Sequence, residues 1–184
     1  MRYDSEEYLQ AFRLQRTFPK IHDKLYAFVV ARTARDPFCD LCCSTGLFGQ
    51  RLEDNGYHGF GIDASMDALI KGRSAGVTLP MIGMKITYDT LVPLRERLKE
   101  NCTKILIARR CLPEILGAQN FGAELGYVLR QAGVRQVFLQ GRQVTHHPRN
   151  PLHTLELEIA ALKGWARASD WQEDVPGCAH LVPT

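Results

Sequence analysis

Short apolar runs alternate with helical patterns along this chain from about residue 38 onward. This alternation constrains the fold more than any other feature of the sequence. Strands that are joined by helices pair in parallel, and the helices then cover both faces of the sheet. We therefore predict a mostly parallel sheet that lies between two layers of helices.

Apolar runs and capping residues place the individual elements. The predicted strands cover residues 38–43, 59–62, 79–86, 104–108 and 134–140, and two closing strands fall between residues 165 and 183. The predicted helices cover residues 47–55, 90–100 and 121–132, and two more begin at Ser65 and at Asn150-Pro151. The fold class is thus α/β, a three-layer αβα sandwich around a Rossmann-like sheet of about six or seven strands with an N-terminal helical segment.

The length of 184 residues predicts one domain, with N-terminal helices in residues 1–36 and the α/β core in residues 37–184. No apolar run approaches the roughly 20 residues that cross a bilayer. The first residues also lack the apolar segment of a signal peptide. We expect a cytoplasmic protein with no membrane partner. The net charge of +3 is too small to indicate nucleic-acid binding by itself.

Three of the six cysteines crowd the first predicted strand: Cys39, Cys42 and Cys43. The spacing Cys39-x-x-Cys42 occurs in zinc and redox sites. A tetrahedral zinc site needs further ligands, and no second cysteine pair or spaced histidine pair supplies them. We therefore predict small buried apolar side chains, no bound metal and no disulfide under reducing conditions.

The segment from Asp40 to Gly49 follows a predicted strand and opens a helix. Its backbone amides therefore converge at the positive end of a helix dipole, where an anionic ligand group binds well. Small residues at Cys42, Ser44 and Gly46 allow a ligand to approach the backbone closely. Asp63 ends the next strand, where an acid accepts hydrogen bonds from ribose hydroxyls.

These residues resemble the class I S-adenosylmethionine (SAM)-dependent methyltransferases. Their first motif is an acid followed by small residues at alternate positions, as in Asp40-x-Cys42-x-Ser44-x-Gly46, and Gly59 to Leu69 is similar to their second motif. The resemblance covers residues 20–165 and implies SAM as cofactor. It implies that the first acid orients the methionine amino group through the loop and that the second binds the ribose. The implied cofactor-binding residues are Asp40, Cys42, Ser44, Thr45, Gly46, Asp63 and Ala64.

The sequence departs from the family at two places. Cys42 and Ser44 replace two of the usual glycines. Many members also carry an acid after the third strand that contacts the adenine amino group, and here Asp89 is the only acid nearby. The adenine contact is therefore not assigned.

Basic residues follow the fourth and fifth predicted strands, whose carboxyl ends share one edge of a parallel sheet. They are Arg109, Arg110, Arg142, His146, His147 and Arg149. One interpretation is an ordinary basic surface. The other is a site for an anionic methyl acceptor, either a small carboxylate or phosphate or a nucleic-acid backbone, with Arg109, Arg110 and Arg142 as substrate-binding residues.

Methyl transfer from a sulfonium is an in-line displacement, so holding the acceptor close to the methyl group supplies much of the rate. A base is needed only where the acceptor loses a proton, and His146, His147 and Glu114 are the candidates. No Asn-Pro-Pro-Tyr-like or Pro-Cys segment follows the fourth strand, which disfavours the DNA amino- and cytosine-carbon methyltransferases.

Two alternatives to an active methyltransferase remain open at this point. One is a non-catalytic protein of the same fold that binds the cofactor or a partner. The other is a nicotinamide-dependent enzyme, because Ser44-x-Gly46-x-x-Gly49 partly matches the dinucleotide-binding pattern.

Overall fold

A seven-stranded sheet organises the computed structural model, which describes residues 17–116, 121–141, 154–168 and 177–184. The strands are β1 (Phe38–Leu41), β2 (Gly59–Asp63), β3 (Met81–Gly83), β4 (Ile105–Arg109), β5 (Gln136–Gln140), β6 (Trp165–Arg167) and β7 (Cys178–Pro183). Their order across the sheet is β3-β2-β1-β4-β5-β7-β6. The strands β1 to β5 are parallel, whereas β7 runs antiparallel to β5 and β6 antiparallel to β7.

Helices follow most of the parallel strands. The helix α1 (Thr17–Val30) precedes β1, and the helices after it are α2 (Leu47–Glu53), α3 (Met66–Ser74), α4 (Leu91–Glu100), α5 (Leu112–Ile115), α6 (Phe121–Gln131) and α7 (Leu155–Ala161), with a 3₁₀ turn at Tyr88–Thr90. Successive strand residues face opposite sides of a sheet, and here their side chains pack into two separate apolar cores. Cys39 and Leu41 pack with α4 and α6, while Phe38 packs with α1 and α2 on the other side. The predicted three-layer α/β sandwich is therefore confirmed.

The strand interiors agree with the sequence prediction, and the strand ends do not. The strand β1 ends at Leu41 rather than residue 43, because Cys42 adopts a left-handed φ of 58° that an extended strand cannot continue. The third strand covers Met81–Gly83 rather than residues 79–86, and it pairs only with β2, at the edge of the sheet. The two closing strands predicted after residue 165 are confirmed as β6 and β7.

Two predicted caps are confirmed and one helix start is revised. The hydroxyl of Ser65 accepts a hydrogen bond from the Ala68 amide at 3.3 Å and begins α3. Gly133 follows α6 with a φ of 84°. The last helix begins at Leu155, where Thr154 supplies the cap, while Asn150 and Pro151 lie outside the described residues.

Parallel strands deliver their carboxyl ends to one edge of the sheet, which is where open α/β sheets bind ligands. In this sheet the edge carries Asp40, Asp63 and Arg109, at the ends of β1, β2 and β4. Within the described ranges, no helix has both the length and the apolarity that a membrane crossing requires. The candidate site is therefore sought at this edge.

Candidate cofactor site

The loop between β1 and α2 turns on three left-handed residues at alternate positions. Their φ angles are 58° at Cys42, 54° at Ser44 and 76° at Gly46. An L-residue in this conformation costs about 1–2 kcal/mol, whereas glycine adopts it freely. The backbone therefore has the shape that glycines would favour, although two of the three positions carry a side chain.

Close packing around the loop explains its remaining glycines. A Cβ atom at Gly46 would lie 2.5 Å from the Met81 sulfur, and one at Gly49 would lie 2.5 Å from Leu79 Cδ2. A Cβ atom at Gly72 of α3 would collide with the backbone carbonyl oxygen of Thr45. The loop is thus clamped between β3 and α3, and its amides are held in one arrangement.

The carboxylate of Asp40 lies fully buried beneath this loop and pairs with Arg109. The Arg109 Nη2 donates to Oδ2 at 3.1 Å and its Nε donates to Oδ1 at 3.4 Å. Burial raises the pKa of Asp40 above its ordinary value, although Arg109 opposes the rise. The nearby charge of Asp63 raises this pKa further, and the Gly49 amide lowers it. Asp40 is therefore tied to the loop through Arg109, which also donates to the Cys43 carbonyl.

Arg109 contacts the loop as well as Asp40. Its guanidinium also donates to the Cys43 carbonyl at 3.4 Å and lies 4.7 Å from the centre of the Phe48 ring. The side chain is only 11% exposed. The sequence predicts that Arg109 binds an anionic substrate. The structure shows that its charge already has a partner within the fold.

Asp63 joins the end of β2 to the loop after β1. Its Oδ2 accepts the Ser44 amide at 2.7 Å, and its Oδ1 accepts the Ser65 amide at 2.8 Å. A carboxylate oxygen accepts more than one hydrogen bond, so both oxygens keep capacity for ribose hydroxyls. The residue is half-buried and faces the sheet edge. Ala64 beside it is exposed.

The structure describes only some of the other site residues that the sequence predicts. Arg110 has a left-handed φ of 57°, and its amide donates to the Gln140 carbonyl at 2.7 Å. The guanidinium lies near Cys178, where it opposes the burial that raises the pKa of that thiol to about 12. Asp89 lies exposed in the 3₁₀ turn after β3. Positions outside the described side chains are Glu114, Arg142, His146, His147 and Arg149.

Two groups near the site escaped the sequence analysis. The thiol of Cys111 donates to the Leu41 carbonyl at 3.6 Å, and Cys42 packs against the apolar cluster that contains Cys111. The neighbouring Cys42 and burial raise the pKa of the Cys111 thiol, and the charge of Glu158 on α7 raises it further, although that carboxylate is itself only 1% exposed. Glu158 shares the helix stripe of Leu155 and Leu162, and a charged residue on such a stripe was the available signal.

Comparison with solved structures places this geometry in a known fold. Magnesium protoporphyrin IX methyltransferase from Synechocystis PCC 6803 with bound SAM is 13% identical, with a TM-score of 0.64 over 99% of this chain and 93% of that chain. The bifunctional kinase-methyltransferase WbdD is 14% identical, with a TM-score of 0.53 over 90% of this chain and 38% of that chain. A SAM-dependent methyltransferase from Archaeoglobus fulgidus is 11% identical, with a TM-score of 0.54 over 73% and 57%.

The chain shares its fold with these three structures. No protein-family model and no curated protein sequence matches it. Its strand order also separates this fold from the dinucleotide-binding order 3-2-1-4-5-6, because here the antiparallel β7 lies between β5 and β6. In this fold the candidate cofactor site is the left-handed loop of residues 42–46 together with the acid at the end of β2.

Proposed function

We propose that this protein binds SAM on the loop of residues 42–46 and transfers its methyl group to an anionic acceptor. The observation that carries the proposal is the left-handed conformation of Cys42, Ser44 and Gly46 above a buried acid. The loop keeps this backbone although two side chains strain it, which favours a function that needs its amides. SAM supplies a methyl group on a sulfonium, which makes the methyl carbon electrophilic.

Each residue of the site has a distinct task in this proposal. Asp63 binds the ribose hydroxyls while it holds the Ser44 amide, so ribose recognition and loop shape depend on one carboxylate. The ion pair of Asp40 and Arg109 holds the loop in place, because Arg109 also donates to the Cys43 carbonyl. Thr45, just before α2 begins, offers its amide to the carboxylate of the methionine moiety, while the Gly46 amide closes the turn on the Cys43 carbonyl at 2.9 Å.

Variants of Asp63 test the cofactor assignment by calorimetry with S-adenosylhomocysteine (SAH). Asp63→Ala should weaken binding at least tenfold, because a buried polar partner left unpaired costs about 1–3 kcal/mol. The exposed Asp67, in the first turn of α3, supplies the matched control Asp67→Ala, which should bind as the native protein does.

A loss of affinity in Asp63→Ala has two sources, the ribose contact and the loop. An SAH analogue that lacks both ribose hydroxyls separates them. The native protein should bind this analogue more weakly than SAH, and Asp63→Ala should bind the two alike, since coupled groups are non-additive. Equal discrimination by both proteins would contradict the ribose assignment.

The proposal that the methyl acceptor is anionic depends on the basic residues that follow β4 and β5. Arg109 is neutralised by Asp40, so Arg110 and the predicted Arg142 carry the proposal. Transfer from radiolabelled SAM is measured against pools of carboxylates, phosphomonoesters and RNA. Arg110→Glu should reduce transfer at least tenfold and leave SAH affinity unchanged, whereas Arg95→Glu on α4 should alter neither.

The same assay decides between an enzyme and a binding protein. Binding of SAH without transfer to any pool would favour the non-catalytic alternative. A nucleic-acid acceptor would show a steep fall in binding with salt, in proportion to the phosphates contacted, and a small carboxylate would show a shallow one. The candidate bases are His146, His147 and Glu114. The pH profile of methyl transfer in the alanine variant of each residue tests whether it acts as the base.

A further inference from the structure

Two cysteines from separate loops meet in one apolar cluster at the candidate cofactor site. Cys42 directly follows β1, and Cys111 follows the neighbouring strand β4. The register of these strands places Leu41 opposite Ala108, so the two loops leave the sheet together. Cys111 donates to the carbonyl of Leu41, the residue before Cys42, at 3.6 Å, and Cys42 packs against the apolar cluster that contains Cys111.

We propose that Cys42 and Cys111 form a reversible disulfide that switches off the candidate cofactor site. The consequence for the cofactor rests on the function proposed above, whereas formation of the bond does not. Cys42 is the second residue of the left-handed loop motif and Ser44 is only two residues further on. A bond between the two sulfurs would draw the loop toward β4 and shift the amides that the cofactor needs.

The other described cysteines do not offer an equivalent pair. Cys39 and Cys178 are buried within strands, and Cys43 packs against Gly61, where a Cβ atom would lie 2.6 Å from its sulfur. Cys102 is exposed, but it precedes β4 and so lies at the opposite edge of the sheet. Cys42 is half-buried at the site itself, which gives an oxidant a path to one member of the pair.

The oxidant required is a small peroxide, for which hydrogen peroxide is the probe. The Cys42 sulfur attacks one peroxide oxygen, the O–O bond breaks, and a sulfenic acid and a first water result. The Cys111 sulfur then attacks the Cys42 sulfur, the S–O bond breaks, and its proton leaves with the hydroxide as a second water. The two thiols lose two electrons, which reduce the peroxide. Cys42 is half-buried whereas Cys111 is buried, so the peroxide reaches Cys42 first.

The test oxidises the full chain with hydrogen peroxide and maps tryptic peptides without reduction. Cys42 and Cys111 fall in different peptides, residues 36–51 and 111–130, and Cys102 falls in a third. Tandem fragmentation should locate the bond at Cys42 and Cys111. Calorimetry should show that oxidation weakens SAH binding at least tenfold and that dithiothreitol restores it.

Variants show whether this bond causes the loss. Oxidised Cys102→Ala should lose affinity as the native protein does. Cys111→Ala should show the same SAH affinity before and after oxidation, and Cys111→Ser serves if the alanine variant does not fold. Joined peptides other than these two, or oxygen addition to Cys102 with no joined peptide, would overturn the proposal.

Two further outcomes are separable. A disulfide between Cys42 and Cys111 that leaves SAH affinity unchanged overturns the switch. A reduced protein that does not bind SAH contradicts the proposed function and the switch together, and the peptide map still shows whether the bond forms. Failure of the disulfide and failure of the cofactor assignment are therefore distinguished.

Discussion

At the scale of one residue, the left-handed backbone of the loop predicts a measurable strain at Ser44. Ser44 has a φ of 54°, which costs a non-glycine residue about 1–2 kcal/mol. We expect Ser44→Gly to raise the free energy of unfolding by about 1 kcal/mol, because glycine relieves this strain. Urea denaturation measures the change.

A glycine placed where φ is negative provides the comparison for Ser44→Gly. Ser65 caps α3 with a φ of −89°, so Ser65→Gly should lower stability by a few tenths of a kcal/mol, about 0.3. If both glycine variants are destabilised equally, strain at Ser44 is not the cause. Stability gained at Ser44 together with weaker SAH binding would indicate that the side chain contributes to the site.

The buried pair of Asp40 and Arg109 is the second feature at residue scale. Arg109→Met would leave the Asp40 carboxylate buried without its cation, which costs about 3–5 kcal/mol. The pKa of Asp40 is already raised by burial and would rise further without Arg109. A raised pKa gives stability that is present at acid pH and is lost as the pH rises through the folded-state value.

The deficit of Arg109→Met should therefore be larger at pH 7 than near pH 5, as thermal unfolding at the two pH values would show. The exposed pair of Arg95 and Glu96 supplies the control Arg95→Met, with an expected change within about 0.5 kcal/mol at either pH. A pH-independent deficit would contradict the role given to Asp40. Sequence reasoning found both residues but not their contact, because they are 69 positions apart and belong to separate strands.

At the scale of elements, helix α3 supports the loop through one close contact. Alanine favours a helix over glycine by about 1 kcal/mol, yet a Cβ atom at Gly72 would collide with the Thr45 carbonyl oxygen. We expect Gly72→Ala to lower the free energy of unfolding by about 1–3 kcal/mol and to weaken SAH binding. Ser74→Ala, at an exposed position of the same helix, should leave SAH binding unchanged. A Gly72→Ala variant more stable than the native protein would show that the loop yields readily.

Element interiors were predictable because apolar runs and caps are local signals, and element ends were less so. The apolar run of β1 continues to Cys43, but the chain leaves the sheet at Cys42 because the loop needs a left-handed residue there. Sequence reasoning recognised the positions of that turn from the spacing of small residues. It could not show that Asp63 holds the turn through the Ser44 amide, because this contact depends on the pairing of β1 with β2.

At the scale of the whole molecule, the alternation of strands and helices predicts a parallel sheet but not the order of its strands. The insertion of antiparallel β7 between β5 and β6 follows from long-range pairing, such as Phe138 opposite His180. Local periodicity contains no information about such a pairing. The resulting order differs from the dinucleotide-binding order 3-2-1-4-5-6, although those folds also carry a turn after the first strand and an acid after the second.

The change in thermal stability on adding a ligand tests which cofactor the folded protein binds. A ligand that binds only the folded state stabilises it by about 2.7 kcal/mol at a concentration 100 times its Kd. For a chain of this size we expect SAH at that concentration to raise Tm by about 5–10 °C. NAD and NADP at the same concentration should raise it by less than about 1 °C. Asp63→Ala should lose most of the SAH-dependent rise, while Asp67→Ala should keep it. A rise with NAD and none with SAH would mean that the left-handed loop serves a nicotinamide cofactor despite the strand order.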